Sequence, residues 1–410
     1  MKINFFFYNV VPVKTNLNSI PWIAESLNIL FASEFAISSL SEENVKCFSA
    51  IHKITRNMQQ PSLKEIDSVF SFYVDKFGPD NIRILTNEDS TQIVCAQLRE
   101  KYKIKGASVE YLLPFVDKSV SKTSLLGVVK IPKHLLFNKI DFILDGGKYL
   151  SWLESYVDYP LFIKPINLVS SLNTFKVESR KDAFDVLSNL VRTEYSYEID
   201  EFIFGDVLHA DIVMIDGEVD FLGVGRNNIP LHLFQHGNPA GSFPEVDDLF
   251  VAKVHDFSRK ILKKLQADNG VFHLEFFQQA NGELVFLEVA ARMGGAHIFD
   301  IYKIMHGFDL EELCLSLQAG EYTISNKQKK DLFAAFVNYP KKEGVVSYFK
   351  EPDIKSSFKI IKRVSEGEVV SKAKTLLDST ASIIIWSLSL SQLRRDFDTL
   401  SSFEPVIFVE

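Results

Sequence analysis

The sequence predicts an α/β protein whose later parts are α+β subdomains, and three observations predict it. Apolar runs of strand length alternate with helical stretches near the N-terminus. Asp216-Gly217 and Asn281-Gly282 each separate two alternating apolar runs, the pattern of antiparallel hairpins. The 410 residues are 46% hydrophobic and 24% charged, the balance of a globular chain with a sizeable core rather than a disordered one.

Ile3–Val13 and Ile82–Thr86 read as strands, and Gly78-Pro79-Asp80 punctuates the start of the second. Thr91–Tyr102 carries Ile93, Val94, Ala96 and Leu98 at spacings that suit a crossover helix. Residues 1–115 are therefore expected to form an open sheet with helices on its faces. They hold no glycine fingerprint, so a dinucleotide site is not expected there.

Beyond this unit, Lys118–Leu126 reads as a helix stopped by Ile131-Pro132, and Leu161–Lys164 as a strand closed by Pro165. Ile199–Ile203, His209–Ile215 and Glu218–Gly223 read as strands, and Val251–Gln266 as a long helix ended by Asp268-Asn269-Gly270. After the Lys-rich stretch Asn326–Lys330, strands resume around Phe333–Val337 and Phe358–Val364. The expected units are 1–115, 116–195, 196–324 and a small C-terminal subdomain, 325–410.

Composition excludes several partner classes. A net charge of −8 supplies no basic field for nucleic acid. Ser382–Leu390 is apolar but too short to span a bilayer, so no membrane role is expected, and Ile3–Tyr8 reads as an opening strand rather than a signal peptide. Cys47, Cys95 and Cys314 are three and far apart, which suits neither a disulfide framework nor a zinc site and points to a reducing, cytoplasmic setting. The 35 phenylalanines are read as core filling.

The chemistry concentrates on one hairpin. Strand alternation places Val271, His273, Glu275 and Phe277 on one face, and Leu284, Phe286, Glu288, Ala290 and Arg292 on one face of the next strand. With Asn281-Gly282 as a two-residue turn, Ala280 faces Glu283, Glu275 faces Glu288 and Val271 faces Arg292. Two carboxylates directly across a strand pair repel and call for a cation. Magnesium, which takes one or two carboxylates plus substrate phosphates, suits that place. Arg292 could neutralise phosphoryl charge, and Gly294-Gly295 lets backbone approach a ligand or ends the strand.

These residues, His273-Leu274-Glu275-Phe276-Phe277 followed by Phe286-Leu287-Glu288-Val289-Ala290-Ala291-Arg292-Met293-Gly294-Gly295, resemble the metal-binding hairpin of the ATP-grasp superfamily. The Glu-Val-Ala-Ala-Arg form is similar to the carboxylate–amine ligase branch that includes the L-amino acid (dipeptide) ligases. Upstream, Asp117-Lys118, Lys122, Gly127 and Ile131-Pro132-Lys133 resemble the start of the family's nucleotide-binding part. Tyr159–Pro165 resembles its strand ending in a phosphate-binding lysine. The resemblance implies an ATP-grasp fold: an N-terminal open α/β domain followed by an ATP-grasp module. It implies Glu275 and Glu288 as metal ligands and Lys118 and Lys164 as phosphate contacts. Ser170 and Ser171 would lie in the phosphate loop, and Arg292 with Glu288 would be catalytic. Asp200-Glu201-Phe202-Ile203 and Gly205 resemble the adenine hinge, read through backbone groups of Glu201 and Ile203. Three positions depart from the pattern. Ala290 replaces a frequent Asn ligand of the second metal, Val207 replaces a ribose-binding acid with Asp206 beside it, and the loop Ile166–Thr174 has no glycine.

The implied reaction is ATP-dependent joining of a carboxylic acid to an amine through an acyl phosphate, with Mg²⁺ (or Mn²⁺) as cofactor and an amino acid as one substrate. A homodimer is a further expectation of the resemblance. His209, His236 and His297 receive no assigned role. The alternatives are a carboxylase or purine-pathway ligase on the same scaffold, and a nucleotide-binding module without turnover, for which the departures argue.

Overall fold

The structure, a computed structural model, describes residues 2–168, 172–322 and 331–409. Ser170, Ser171 and the Asn326–Lys330 stretch lie outside the described residues.

The N-terminal strands β1 (Ile3–Tyr8), β2 (Leu27–Ala32), β3 (Ala50–Lys53) and β4 (Ile82–Thr86) form a parallel sheet in the order β3-β2-β1-β4. Every residue of β1 is buried, as befits a parallel strand covered on both faces. The Leu63–Phe77 helix covers one face with Ile66, Phe70 and Val74, and the predicted crossover helix spans Asp89–Tyr102. Because the chain runs from β1 outward to β3 and then returns to β4 on the other side, the sheet's topological switch point lies between β1 and β4.

A second sheet is antiparallel and small, with β5 (His134–Leu136), β6 (Leu161–Pro165), β7 (Phe175–Val177) and β8 (Tyr197–Glu201) in the order β5-β8-β6-β7. The third carries eight strands in the order β13-β12-β9-β10-β11-β14-β18-β16. They are β9 (Asp206–Ile215), β10 (Glu218–Asn227), β11 (Ala240–Glu245), β12 (Gly270–Gln278), β13 (Leu284–Ala290), β14 (Phe333–Pro340), β16 (Ser357–Lys362) and β18 (Ser379–Ser387). Three of its strands follow residue 325, so the C-terminal part extends the central sheet as well as building a small sheet of its own. A three-stranded sheet of β15 (Gly344–Phe349), β17 (Val369–Val370) and β19 (Val406–Val409) completes the set.

Alternation decides what each face of the central sheet meets. Leu208, Ala210 and Ile212 of β9 and Phe272, Leu274 and Phe276 of β12 pack under the Asp248–Lys264 helix. Val213 and Val271 turn to the other face, under the Ile298–His306 and Leu310–Ala319 helices. The Asp216-Gly217 turn forms as expected, with φ of 52° and 77° joining Ile215 to Glu218.

The β12–β13 hairpin keeps the expected glutamate pair by a different route. Gln279 N–H donates to Glu283 O at 2.9 Å and Gly282 N–H to Gln279 O at 2.7 Å, with Gly282 at φ 80°. The loop is thus one residue longer than a two-residue turn. The ladder runs Gln278–Leu284, Phe277–Val285 and Phe276–Phe286, then shifts register and resumes at Glu275–Glu288. The extra loop residue and the bulge cancel. The bulge has a physical reason: Phe286 and Glu288 are two apart and would share a face of a regular strand. Phe286 is fully buried with Phe276 in the core, while Glu288 turns to the other face, so the expected Phe286–Glu288 common face is corrected. Pairing ends at His273–Ala290, and the expected Val271–Arg292 pair does not form because Arg292 has already left the strand.

Candidate active site at the hairpin and the sheet switch point

Glu275 and Glu288 face each other across β12 and β13 with 15% and 33% of their side chains exposed. Each has a cationic or polar neighbour. His273 Nε2 lies 3.3 Å from Glu275 Oε1, and Lys118 Nζ lies 3.3 Å from Glu288 Oε2. Burial alone would raise the Glu288 carboxyl, but Lys118, Lys164 and Arg292 pull it down to about 2. Two partly accessible carboxylates side by side, one of them held ionised by three cations, are a donor set that fits a divalent cation with hard oxygen preference.

Lys118 opens the Lys118–Leu125 helix, where Asp117 caps the N-terminus through Ser119 and Val120 N–H. Its ammonium also donates to Leu168 O at 2.8 Å, so it bridges the hairpin and the segment that follows Lys164. Lys164 is buried at the end of β6, 3.4 Å from Glu198 Oε1 and 3.3 Å from Asp200 Oδ2. Burial disfavours its charge, yet Asp200, Glu198 and Glu288 outweigh burial and hold its pKa above the ordinary lysine value. Lys122, fully buried, lies 2.9 Å from Glu198 Oε1 and 2.5 Å from Asp200 Oδ2. The Asp200 carboxylate is therefore committed to two lysines rather than to the adenine hinge. The acids of β8 that hold Lys122 and Lys164 could have been suspected from Glu198 and Asp200 alternating on one strand face.

The hinge residues are placed as follows. Glu201 N–H donates to Lys133 O at 2.8 Å and Phe202 N–H to Pro160 O at 3.2 Å, so of the Glu201 backbone groups expected at the adenine edge the N–H is already engaged. Ile203 is buried and follows directly. Asp206, at the start of β9, is exposed and paired with Arg226 at 2.6 Å; as a ribose contact it would have to share that partner.

Arg292 lies in the loop after β13. Its Nε donates to Asp89 Oδ2 at 2.6 Å and its Nη1 to Met293 O at 2.8 Å. Asp89 begins the helix after β4, and Glu88 beside it accepts N–H groups from Asn9, Val10 and Val11 after β1. The crevice at the carboxyl ends of β1 and β4 thus abuts the loop that leaves the β12–β13 hairpin. Ligands of open α/β sheets bind outside such ends, at the switch point.

Beneath the carboxylates runs a buried network of which the sequence reading had placed His273 on the Glu275 face and left His209 without a role. Asp211 accepts from His209 Nδ1 and His273 Nδ1, both at 2.8 Å, and from Tyr302 OH at 3.1 Å; His209 Nε2 reaches Ser242 Oγ at 2.7 Å. Burial would lower the His273 pKa, but Asp211 and Glu275 raise it to about 10. Ligand atoms of His209, Asp211 and His273 lie within 4.8 Å of one another, yet both imidazoles already use Asp211, so the set is closed on itself. His297 is likewise buried, 2.6 Å from Asp300 through Nδ1. His236 ends a short 3₁₀ turn, Leu231–His236.

Comparison with known proteins adds the class. No protein-family model matches the chain. An L-arginine-specific L-amino acid ligase of Bacillus subtilis is 25% identical over 307 residues, covering 72% of this chain and 68% of the relative. The crystal structure of an L-amino acid ligase from Bacillus licheniformis superposes with TM-score 0.74 at 15% identity, over 100% of this chain and 99% of that one. A biotin carboxylase domain of the Hydrogenobacter thermophilus 2-oxoglutarate carboxylase, described as a dimer with magnesium ADP and bicarbonate, gives 0.67 at 14% identity, over 99% and 91%. The fold is the ATP-grasp fold. In sequence and in fold the chain is similar to L-amino acid ligases. Among the described residues, no helix is long and apolar enough to cross a membrane.

Proposed function

We propose that this chain joins the carboxylate of one amino acid to an amine through an acyl phosphate at the expense of ATP, in a site built around Glu275, Glu288 and Arg292. The observation that carries the reading is the Glu275–Glu288 pair, faced by Lys118 with Arg292 in the loop directly after it. Glu275 and Glu288 would hold Mg²⁺, which when bound supplies charge neutralisation at the β- and γ-phosphate oxygens. Lys118 and Lys164 would contact the phosphates as point charges on rigid elements. Lys118 would exchange its contact with Glu288 for that role. Lys164 keeps its charge because Glu198 and Asp200 secure it.

A carboxylate oxygen would attack the γ-phosphorus, breaking its bond to the bridging oxygen and releasing ADP. The amine nitrogen would then attack the acyl carbon, breaking the C–O bond to phosphate and losing a proton as the amide forms. Both steps are governed by positioning and electrostatics, so a nucleophilic side chain is not required. Arg292, kept charged by Asp89 and Glu288 in spite of burial, would face the charge that develops on the transferred phosphoryl group. The units 1–115, 116–195, 196–324 and 325–410 would divide these tasks, with nucleotide handling in the second and metal chemistry in the third.

The test is release of phosphate from ATP and Mg²⁺ by the purified chain with pairs drawn from the common L-amino acids. ADP formation that requires both an acid and an amine supports the ligase. AMP as the main product, or ATP binding without turnover across the panel, would remove it, the latter in favour of a nucleotide-binding module.

A further inference from the structure

Lys14 and Arg363 come from opposite ends of the chain and meet over one short loop. Lys14 follows β1; its Nζ donates to Ala296 O at 2.5 Å and lies 4.4 Å over the Phe299 ring. Arg363 follows β16, and its Nη2 stands 3.2 Å from His297 Nε2. Since His297 Nδ1 faces Asp300 Oδ2 at 2.6 Å, that nitrogen carries the proton and Nε2 accepts from the guanidinium. The Ile298–His306 helix starts at this point with His297 as N-cap and no side-chain capping bond. Its positive end therefore adds to the two cations.

The negative groups nearby are already engaged. Asp300 is taken by His297, and the Glu311 carboxylate accepts N–H groups of Lys14 and Thr15 and the Tyr8 hydroxyl. Burial lowers the Lys14 ammonium to about 8 even though Asp300 and Glu311 support its charge, and Arg363 pushes the same way as burial. Among the described residues one carboxylate, Asp300, supports both cations while it is bonded to the neutral His297, and two cations on one such acid gain by receiving an anion. There is room for one: Arg363 is exposed, and a Cβ built on Gly295 meets nothing within 4 Å. Lys14 follows the carboxyl end of β1, and Arg292 lies on the same loop as Ala296, between it and the Glu275–Glu288 pair.

We propose that Lys14 and Arg363 receive the α-carboxylate of the amine substrate, and so restrict the acceptor to amino acids over simple amines. The inference rests on the ligase reading. In that reaction the donor's carboxylate is consumed at the phosphate, next to Glu288 and Lys164. A second full anion site serves a substrate that keeps its carboxylate, which is the acceptor. Bidentate recognition by Arg363 and a point charge from Lys14 suit a carboxylate.

The experiment compares L-alanine with L-alaninamide as acceptors, using whichever common L-amino acid serves as donor, in the unmodified chain and in Arg363→Ala, Lys14→Met and Arg363→Lys. Hydroxylamine is used separately, with the unmodified chain, to trap the acyl phosphate as a hydroxamate. The expected result is a KM for L-alanine raised about tenfold or more in Arg363→Ala and Lys14→Met, with the KM for L-alaninamide changed less than about twofold and partial recovery for L-alanine in Arg363→Lys. Equal effects on acid and amide, or none on either, would overturn the assignment. If the unmodified chain forms no hydroxamate with any donor, the ligase reading itself fails. If hydroxamate forms but acid and amide respond alike, only the present inference falls.

Discussion

Lys118 Nζ stands 3.3 Å from Glu288 Oε2, so one of the two facing carboxylates has its counter-charge on a different element before any ligand arrives. The same lysine donates to Leu168 O, which ties the hairpin to the segment after the buried Lys164. Each group of the site is thus held by a partner that a nucleotide and its metal would have to share or displace.

Removing the charge of that carboxylate, or of the arginine beside it, should cost turnover rather than folding. Glu288→Gln and Arg292→Ala are expected to lower ATP-dependent phosphate release by about 100-fold or more. Circular dichroism should stay native in both. Near-normal turnover in both variants would remove the site assignment.

Metal dependence should be visible without catalysis. In the presence of ADP, adding Mg²⁺ is expected to raise the melting temperature, since a ligand at about 100 times its Kd stabilises by about 2.7 kcal/mol. Chelation should reverse the shift, and Glu275→Gln should shrink the Mg²⁺-dependent part. An unchanged metal-dependent shift in that variant would count against Glu275 as a ligand.

Lys122 was legible only as part of a motif, but it is fully buried between Glu198 and Asp200. Lys122→Met leaves two buried acids with Lys164 as their remaining cation, and breaking such a set costs about 3–5 kcal/mol. Urea unfolding measures it. A change below about 1 kcal/mol would mean that Lys164 and water compensate.

The two adjacent glycines should behave oppositely. A Cβ on Gly294 would fall 2.6 Å from Asp211 Oδ1 and 2.9 Å from His273 Nδ1, whereas one on Gly295 meets nothing within 4 Å. Gly294→Ala is expected to destabilise by about 1–3 kcal/mol through the displaced network, and Gly295→Ala by no more than about 0.5 kcal/mol. Equal melting temperatures for the two variants would contradict the close approach.

How far the sequence carried the argument differs from residue to residue. Period-two alternation in β12 was enough to put His273 and Glu275 on one face, and it holds because that strand is regular. The face of Phe286 was not recoverable, since a bulge is a local compromise between a core phenylalanine and a site glutamate two positions later. The facing glutamates were anticipated only because the longer loop offsets that bulge. Partners brought from afar were invisible for a different reason: Asp89 meets Arg292 and Lys14 meets Ala296 through tertiary packing, which leaves no periodic trace. Likewise, nothing in the Phe333–Val337 run announces that β14 pairs with β11 and so continues the central sheet.

The Leu310–Ala319 helix belongs by position to the later part of the chain, yet much of what it touches lies near the start. Glu311 receives Tyr8 OH, Ser316 Oγ receives Trp22 Nε1, and Gln318 exchanges hydrogen bonds with both backbone groups of Thr86. Leu315 is fully buried among Phe6, Tyr8 and Leu30. During synthesis on the ribosome, then, the parallel sheet emerges long before the helix that satisfies it. Its apolar flank and these polar groups must wait until residue 319 has left the exit tunnel, which makes a sheet synthesised early one of the last parts to reach its final packing.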